Sequence, residues 1–401
     1  MDPLDNRVQE YAWGSHTAIA GLLGQPSPSA RPQAELWLGA HTTAPSRVER
    51  EGRWESLFDV IAKRPDAELG ASVVSRFGPQ LPFLLKVLAA ETPLSLQSHP
   101  DEKQAAEGFA AEERAGVPLD APERHYRDRN HKPELLCALD SFELLCGFRR
   151  VVDTLRLLRI LRIETLSDRL DELERDPGPR GLRRFVSTLF AAIGESRARL
   201  VTSTVEACER HVAEGGKFAK ECAWVVRLAG LYPGDIGVAI ALLLNLVRLE
   251  PGQAVYLPAG NLHAYLTGTG IEIMANSDNV IRGGLTAKPI DAAELLRVLV
   301  FEARPIEIVV PRAQGPEAIY EASAAEFRLS RVSVRPAGGA VKLDRRGPEI
   351  LLCTEGSVTA TVRGASPQAL RKGGSAFVPA NAPAYVLEGV GTLYRATVGI
   401  P

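Results

Sequence analysis

The chain has 401 residues, 45% of them hydrophobic and 24% charged, and its 47 lysines and arginines against 49 aspartates and glutamates leave a net charge of -2. This is the composition of a soluble globular protein of two or three domains. Without a basic block it excludes a nucleic-acid partner, and its longest strongly apolar run, residues 236–247 with Asn245 inside it, is too short to span a bilayer.

The five cysteines, Cys137, Cys146, Cys208, Cys222 and Cys353, are scattered and form no C-x-x-C. They indicate neither a disulfide framework nor a thiolate zinc site, but reduced thiols. The N-terminus is too polar for a signal peptide, so a cytoplasmic location is expected.

Residues 1–150 read mainly as short strands broken by Gly, Pro and polar turns. Leu81-Pro-Phe-Leu-Leu-Lys-Val-Leu88 is an apolar run of buried-strand length. In Leu94-Ser-Leu-Gln-Ser-His-Pro100, strand alternation puts Ser95, Gln97 and His99 on one face and Leu94 and Leu96 on the other. Residues 100–109 then read as a helix with acids in its first turn. Asn130-His-Lys-Pro-Glu134 supplies a carboxylate.

From residue 151 to 246 the apolar spacing becomes helical, with Pro-Gly turns at 176–179 and 232–235, and predicts an all-α insertion of about five helices. Strands resume at 247–258, and residues 350–362 read as a hairpin turning at Glu355-Gly356. Residues 252–266 align with 374–387, each a strand running into Pro-Ala, a polar turn and another strand. Two related β-modules of the jelly-roll or cupin kind follow. The fold class expected is mainly β with a helical domain: residues 1–150 and 247–323 form one module, 151–246 the insertion and 324–401 the second module. Pro383-Ala384 stand where the first copy has Leu262-His263, so the second module should hold no metal.

Gln97, His99, Glu134 and His263 offer nitrogen and oxygen donors without sulfur, which suits zinc, manganese or iron in an open, catalytic site. Other histidines, His16, His41, His125, His131 and His211, read better as ordinary polar residues. The stretch 270–288 carries Glu272, a dense Asn276-Ser-Asp-Asn279, Arg282 and Lys288; the two cations could hold phosphate or developing negative charge.

Several long motifs together closely resemble the type I mannose-6-phosphate isomerases (phosphomannose isomerases): Val8-Gln-Glu-Tyr-Ala-Trp-Gly14, Ala34-Glu-Leu-Trp-Leu-Gly-Ala-His41, residues 81–88, 94–101, 130–134 and 142–149, and Ser277-Asp-Asn-Val-Ile-Arg-Gly-Gly-Leu-Thr286. The resemblance implies a cupin enzyme with one Zn2+ per chain, held by Gln97, His99, Glu134 and His263, that interconverts mannose 6-phosphate and fructose 6-phosphate through an enediol(ate). It implies Arg282, Glu272 and Lys132 as catalytic groups, Glu272 as the base with Lys132 or a zinc-bound water as rivals. Ser95, Asp278 and Lys288 are implied as substrate contacts, and the partner is a small phosphosugar met by a monomer. Two departures stand out: Ser98 where the family often has valine, and Ala287 where it often has proline. The alternatives are another metal-dependent cupin enzyme, such as an iron oxygenase, and a sugar-phosphate-binding cupin without turnover.

Overall fold

Alternation along four neighbouring strands organises the molecule. In the computed structural model, which describes residues 1–335, 339–345, 347–364 and 366–400, the strand Phe83–Ala90 is buried throughout. Its residues Phe83, Leu85, Val87 and Ala89 enter an apolar core, whereas Leu84, Lys86 and Leu88 line a cleft on the other face. Glu35–Leu38 pairs with it on one side and His263–Ala275 on the other, both antiparallel. They divide the same way: Leu36, Leu38, Ile271 and Ile273 go to the core, and Glu35, Trp37, Glu272 and Met274 to the cleft. Glu134–Ala138, on the far edge of His263–Ala275, sends Leu135 and Cys137 to the core and Glu134 to the cleft.

Among the described residues the strands form two sheets, one of 10 and one of 11, with antiparallel pairing between their named strands. The sheets meet across that core, where Leu329, Ile350, Leu352, Phe377 and Ala396 of the second face the residues named above. Burial of so many aliphatic and aromatic side chains, at roughly 1.5–3 kcal/mol each, is what joins the sheets.

The helix expected near residue 100 runs over Glu102–Arg114. Asp101 and Gln104 cap each other reciprocally at its start, which satisfies two N–H groups that the first turn leaves free. Between Phe142–Phe148 and Leu244–Leu249 the chain is helical, with α-helices at Val151–Leu161, Ser167–Arg175, Pro179–Phe190, Gly194–Glu214, Ala219–Leu231 and Gly237–Ile240. Two short 3-10 turns complete the segment. Their apolar faces form a core of their own against Leu96, Leu145, Phe148 and Ile281, so the helices back one wall of the cleft.

One strand order occurs twice. Ala254–Leu257, Glu134–Ala138 and His263–Ala275 lie side by side, and so do Ser375–Val378, Glu349–Val362 and Tyr385–Thr397. Leu257 stands opposite Glu134, and Val378 opposite Glu349. Glu349 is fully buried, and Arg395 Nη2 at 2.8 Å and Tyr385 Oη at 2.6 Å bind its carboxylate. A guanidinium therefore neutralises the buried acid there.

The hairpin expected at residues 350–362 is not formed. Glu349–Val362 is one continuous strand whose register with Tyr385–Thr397 slips between Cys353 and Glu355. Gly356, at φ +71°, lies just beyond the slip, opposite Gly391, inside the continuous strand and not in a turn. A Cβ there would meet the Val390 carbonyl oxygen at 2.1 Å. Gly356→Ala should therefore cost about 1–3 kcal/mol and lower the melting temperature; an unchanged melt would contradict this close approach.

Candidate metal centre

His263 opens its long strand directly across from Gln97, and Gln97 in turn pairs with Arg282 on Ile281–Gly284. Glu134 opens the strand on the other side. These three strand ends bring His263 to the same point as residues more than a hundred positions before it. His99 Nε2 lies 3.3 Å from one Glu134 oxygen, and His263 Nε2 lies 3.5 Å from the other. One donor atom from each residue falls within 4.8 Å of the others, and all three residues are buried.

The histidines are set in one tautomer. His99 Nδ1 is 2.7 Å from the Asn279 carbonyl, and His263 Nδ1 is 3.0 Å from that of Asn261. A carbonyl only accepts, so each Nδ1 carries a proton, and the neutral ring leaves the Nε2 lone pair for a metal. Among the described residues neither buried Nε2 has a hydrogen-bond partner. They approach the carboxylate without bonding to it, as donors converging on a common cation would. Two imidazoles and a carboxylate fit zinc, and the amide of Gln97 lines the same cleft.

Burial would raise the Glu134 carboxyl, but the Lys132 ammonium, 3.2 Å away, holds it well below the usual carboxylate range. Burial and the Lys132 charge push the His99 imidazole down to about 4. Both side chains are thus in the protonation state a metal needs.

The cleft above has a volume of about 570 Å³, within the range of small-ligand sites. Gln97, Glu134, Lys132, Glu272, Arg282, Ser95, Asp278 and Lys288 all line it, while His99 and His263 lie behind its wall. Leu94 also borders it, because the strand begins only at Leu96 and the expected alternation does not extend back to that residue. Ser98 faces away, fully buried, and its hydroxyl has no hydrogen-bond partner among the described residues.

Glu272 sits at the floor. Burial raises its carboxyl, and Lys86 at 3.1 Å opposes that rise. The Tyr265 hydroxyl donates to Glu272 at 2.9 Å and lies 3.4 Å from Glu134, so it bridges the two acids. Burial works against the Lys86 ammonium too, yet Glu272 and Glu35 hold its pKa above the ordinary value.

Lys86 is the main residue that sequence reading missed. It lay inside an apolar run, and a lone lysine on a fully buried strand was the available signal. His41 and His125, read as ordinary, in fact line the cleft; His41 Nε2 is 3.2 Å from Asp278, and its ring packs edge-on against Trp37. His131 turns outward to Glu326 at 2.8 Å.

The helical segment builds part of this site. Tyr232 lines the cleft and donates to the Pro93 carbonyl, and Asp235 accepts from the backbone of Gly237 and Thr286. Gly284 approaches Gly237 so closely that a Cβ would lie 2.7 Å from its Cα. That contact fixes the loop carrying Lys288.

With the metal removed, His99 has a folded pKa of about 4 against an ordinary value of 6.5. Between these values the unfolded chain binds a proton that the fold does not, so stability rises with pH across the window and is lost as pH falls. Glu134, depressed below its ordinary value, adds to the loss at lower pH. Chelator-treated protein should melt at a lower temperature at pH 5 than at pH 7; equal melting would contradict the buried neutral imidazole.

Residues 1–151 match the family model described as Phosphomannose isomerase type I, catalytic domain. The mannose-6-phosphate isomerase of Escherichia coli (strain K12) is 39% identical over 399 residues, covering 98% of this chain and 99% of that protein. The Bos taurus enzyme of the same name is 34% identical, with 94% and 93% covered. A solved zinc-bound mannose 6-phosphate isomerase superposes with a TM-score of 0.91 at 37% identity over 99% of both chains. A phosphomannose isomerase mutant from Salmonella typhimurium gives 0.92 over the same share, also at 37% identity. The chain belongs to the type I phosphomannose isomerase family.

Proposed function

We infer that the chain is a zinc-dependent aldose–ketose isomerase interconverting mannose 6-phosphate and fructose 6-phosphate. The observation that carries this is the His99–Glu134–His263 cluster, with both Nε2 atoms free, at the base of a cleft that also holds Glu272 and Arg282. The zinc-bound mannose 6-phosphate isomerase described above has the same fold over nearly its whole length.

In this reading Gln97, His99, Glu134 and His263 hold one Zn2+, which when bound supplies Lewis acidity to the sugar oxygens. Glu272 takes the proton from one of C1 and C2 and returns it to the other. Its burial makes it a stronger base than an exposed carboxylate, and Lys86 keeps it charged. Tyr265 fixes its orientation. Arg282 stabilises negative charge on the enediolate or the phosphate. Lys132, beside Glu134, exchanges protons with substrate oxygens. Ser95 and Asp278 contact the sugar, and Lys288 the phosphate.

The finer architecture belongs to the same reading: two cupin-like modules, residues 1–150 with 247–323 and residues 324–401, and a helical insertion at 151–246. The repeated three-strand order supports it, with Glu349 at the place of Glu134. The Arg395 guanidinium bound there speaks for a second module without metal. A monomeric, cytoplasmic enzyme goes with this reading, and five free, buried cysteines are consistent with it.

Two experiments test the proposal. A coupled assay from mannose 6-phosphate should show turnover that chelation abolishes and zinc restores, and His263→Ala should lose both metal and activity; full activity in verified metal-free protein would overturn it. Glu272→Gln should retain zinc but lower kcat by about 10²-fold or more, whereas near-full turnover would remove Glu272 as the base.

A further inference from the structure

Three cations at the cleft have no ion pair or side-chain hydrogen bond among the described residues: Arg127, Arg282 and Lys288. Asp278 feels the charge of Arg127, but His41 already engages its carboxylate. Deeper in the cleft the charges pair off, Lys86 with Glu272 and Glu35, and Lys132 with Glu134. The unmatched positive charge is therefore confined to one end.

Arg127 differs from the other arginines of its loop. Arg124 is spent on Glu112 and Glu113, and Arg129 lies over the Phe109 ring. Arg127 keeps its guanidinium free and exposed while its backbone is held: its N–H donates to Asn279 Oδ1 at 2.7 Å. Asp128 ties the same loop to Ser277 and Asp278. Arg127 thus rides on the frame that carries Arg282, three residues beyond Asn279. Its charge depresses the pKa of both Arg282 and Lys288, with burial the larger cause for Arg282 and the Arg282 charge the larger cause for Lys288.

Like charges held together without a counter-acid are unfavourable until an anion arrives. A phosphate monoester carries a charge of about -1.5 to -2 at neutral pH and three acceptor oxygens. Arg282, opposite Gln97 in register, lies on the metal side of the cluster, while Arg127 and Lys288 are exposed at the rim. We propose that Arg127 is the third arm of a phosphate cradle with Arg282 and Lys288, and that it sets the preference of the cleft for phosphorylated over neutral sugars. This rests on the reading of the cleft as a sugar-phosphate site.

The test compares wild type, Arg127→Gln and Arg127→Lys in the zinc-loaded full chain. Binding of inorganic phosphate is measured by calorimetry, and turnover of mannose 6-phosphate by steady-state kinetics. Arg127→Gln should weaken phosphate binding and raise KM by about tenfold, the loss of one charge-assisted contact, with kcat within about twofold. Arg127→Lys should recover part of both. Unchanged phosphate affinity and KM in Arg127→Gln would overturn the cradle, and so would a loss confined to kcat. Should wild type bind phosphate yet not turn over the sugar, the activity reading falls; the cradle is then judged on the phosphate affinities alone.

Discussion

The site depends on the burial of the Glu134 carboxylate. An ionised carboxylate 2% exposed is costly unless cations or strong donors surround it. Lys132 meets one of its oxygens, but the imidazoles give it no hydrogen bond, because backbone carbonyls hold their protons on the far ring nitrogens. The unmet need is for a cation between the three side chains. In the second sheet the acid in the equivalent pairing position, Glu349, meets that need with Arg395, and no metal is required.

Strand alternation delivers both the site and its support. The residues that join the two sheets are the immediate neighbours of those lining the cleft: Leu85 and Val87 flank Lys86, Ile271 and Ile273 flank Glu272, and Leu135 follows Glu134. A one-residue slip of any of these strands would exchange core and cleft side chains, so the packing that stabilises the fold also holds the catalytic register. The helices add a wall on the other side, where Tyr232 and Asp235 hold backbone at the cleft edge.

Much of this was legible in the sequence. The alternation of Gln97 against Leu96, the helix beginning near residue 100 and the switch to helical spacing at Val151 each follow from local periodicity. What escaped depends on partners far along the chain. Lys86 looked like an interruption of a core strand until Glu272 and Glu35 stood beside it. His41 gained a role only through Asp278, and Arg127 only because its neighbouring arginines are engaged elsewhere. The hairpin expected at Glu355-Gly356 fails for a local reason: a positive-φ glycine can sit inside a continuous strand as well as in a turn, and only the partner strand distinguishes them.

The central claim is that Glu134 shares a zinc ion with His99 and His263. X-ray absorption at the zinc edge of the loaded protein tests it most directly. The account predicts a shell of nitrogen and oxygen only, with the outer scattering of two imidazoles. A thiolate sulfur in the shell, which the buried Cys146 opposite His263 could supply, or the absence of imidazole scattering, would contradict it.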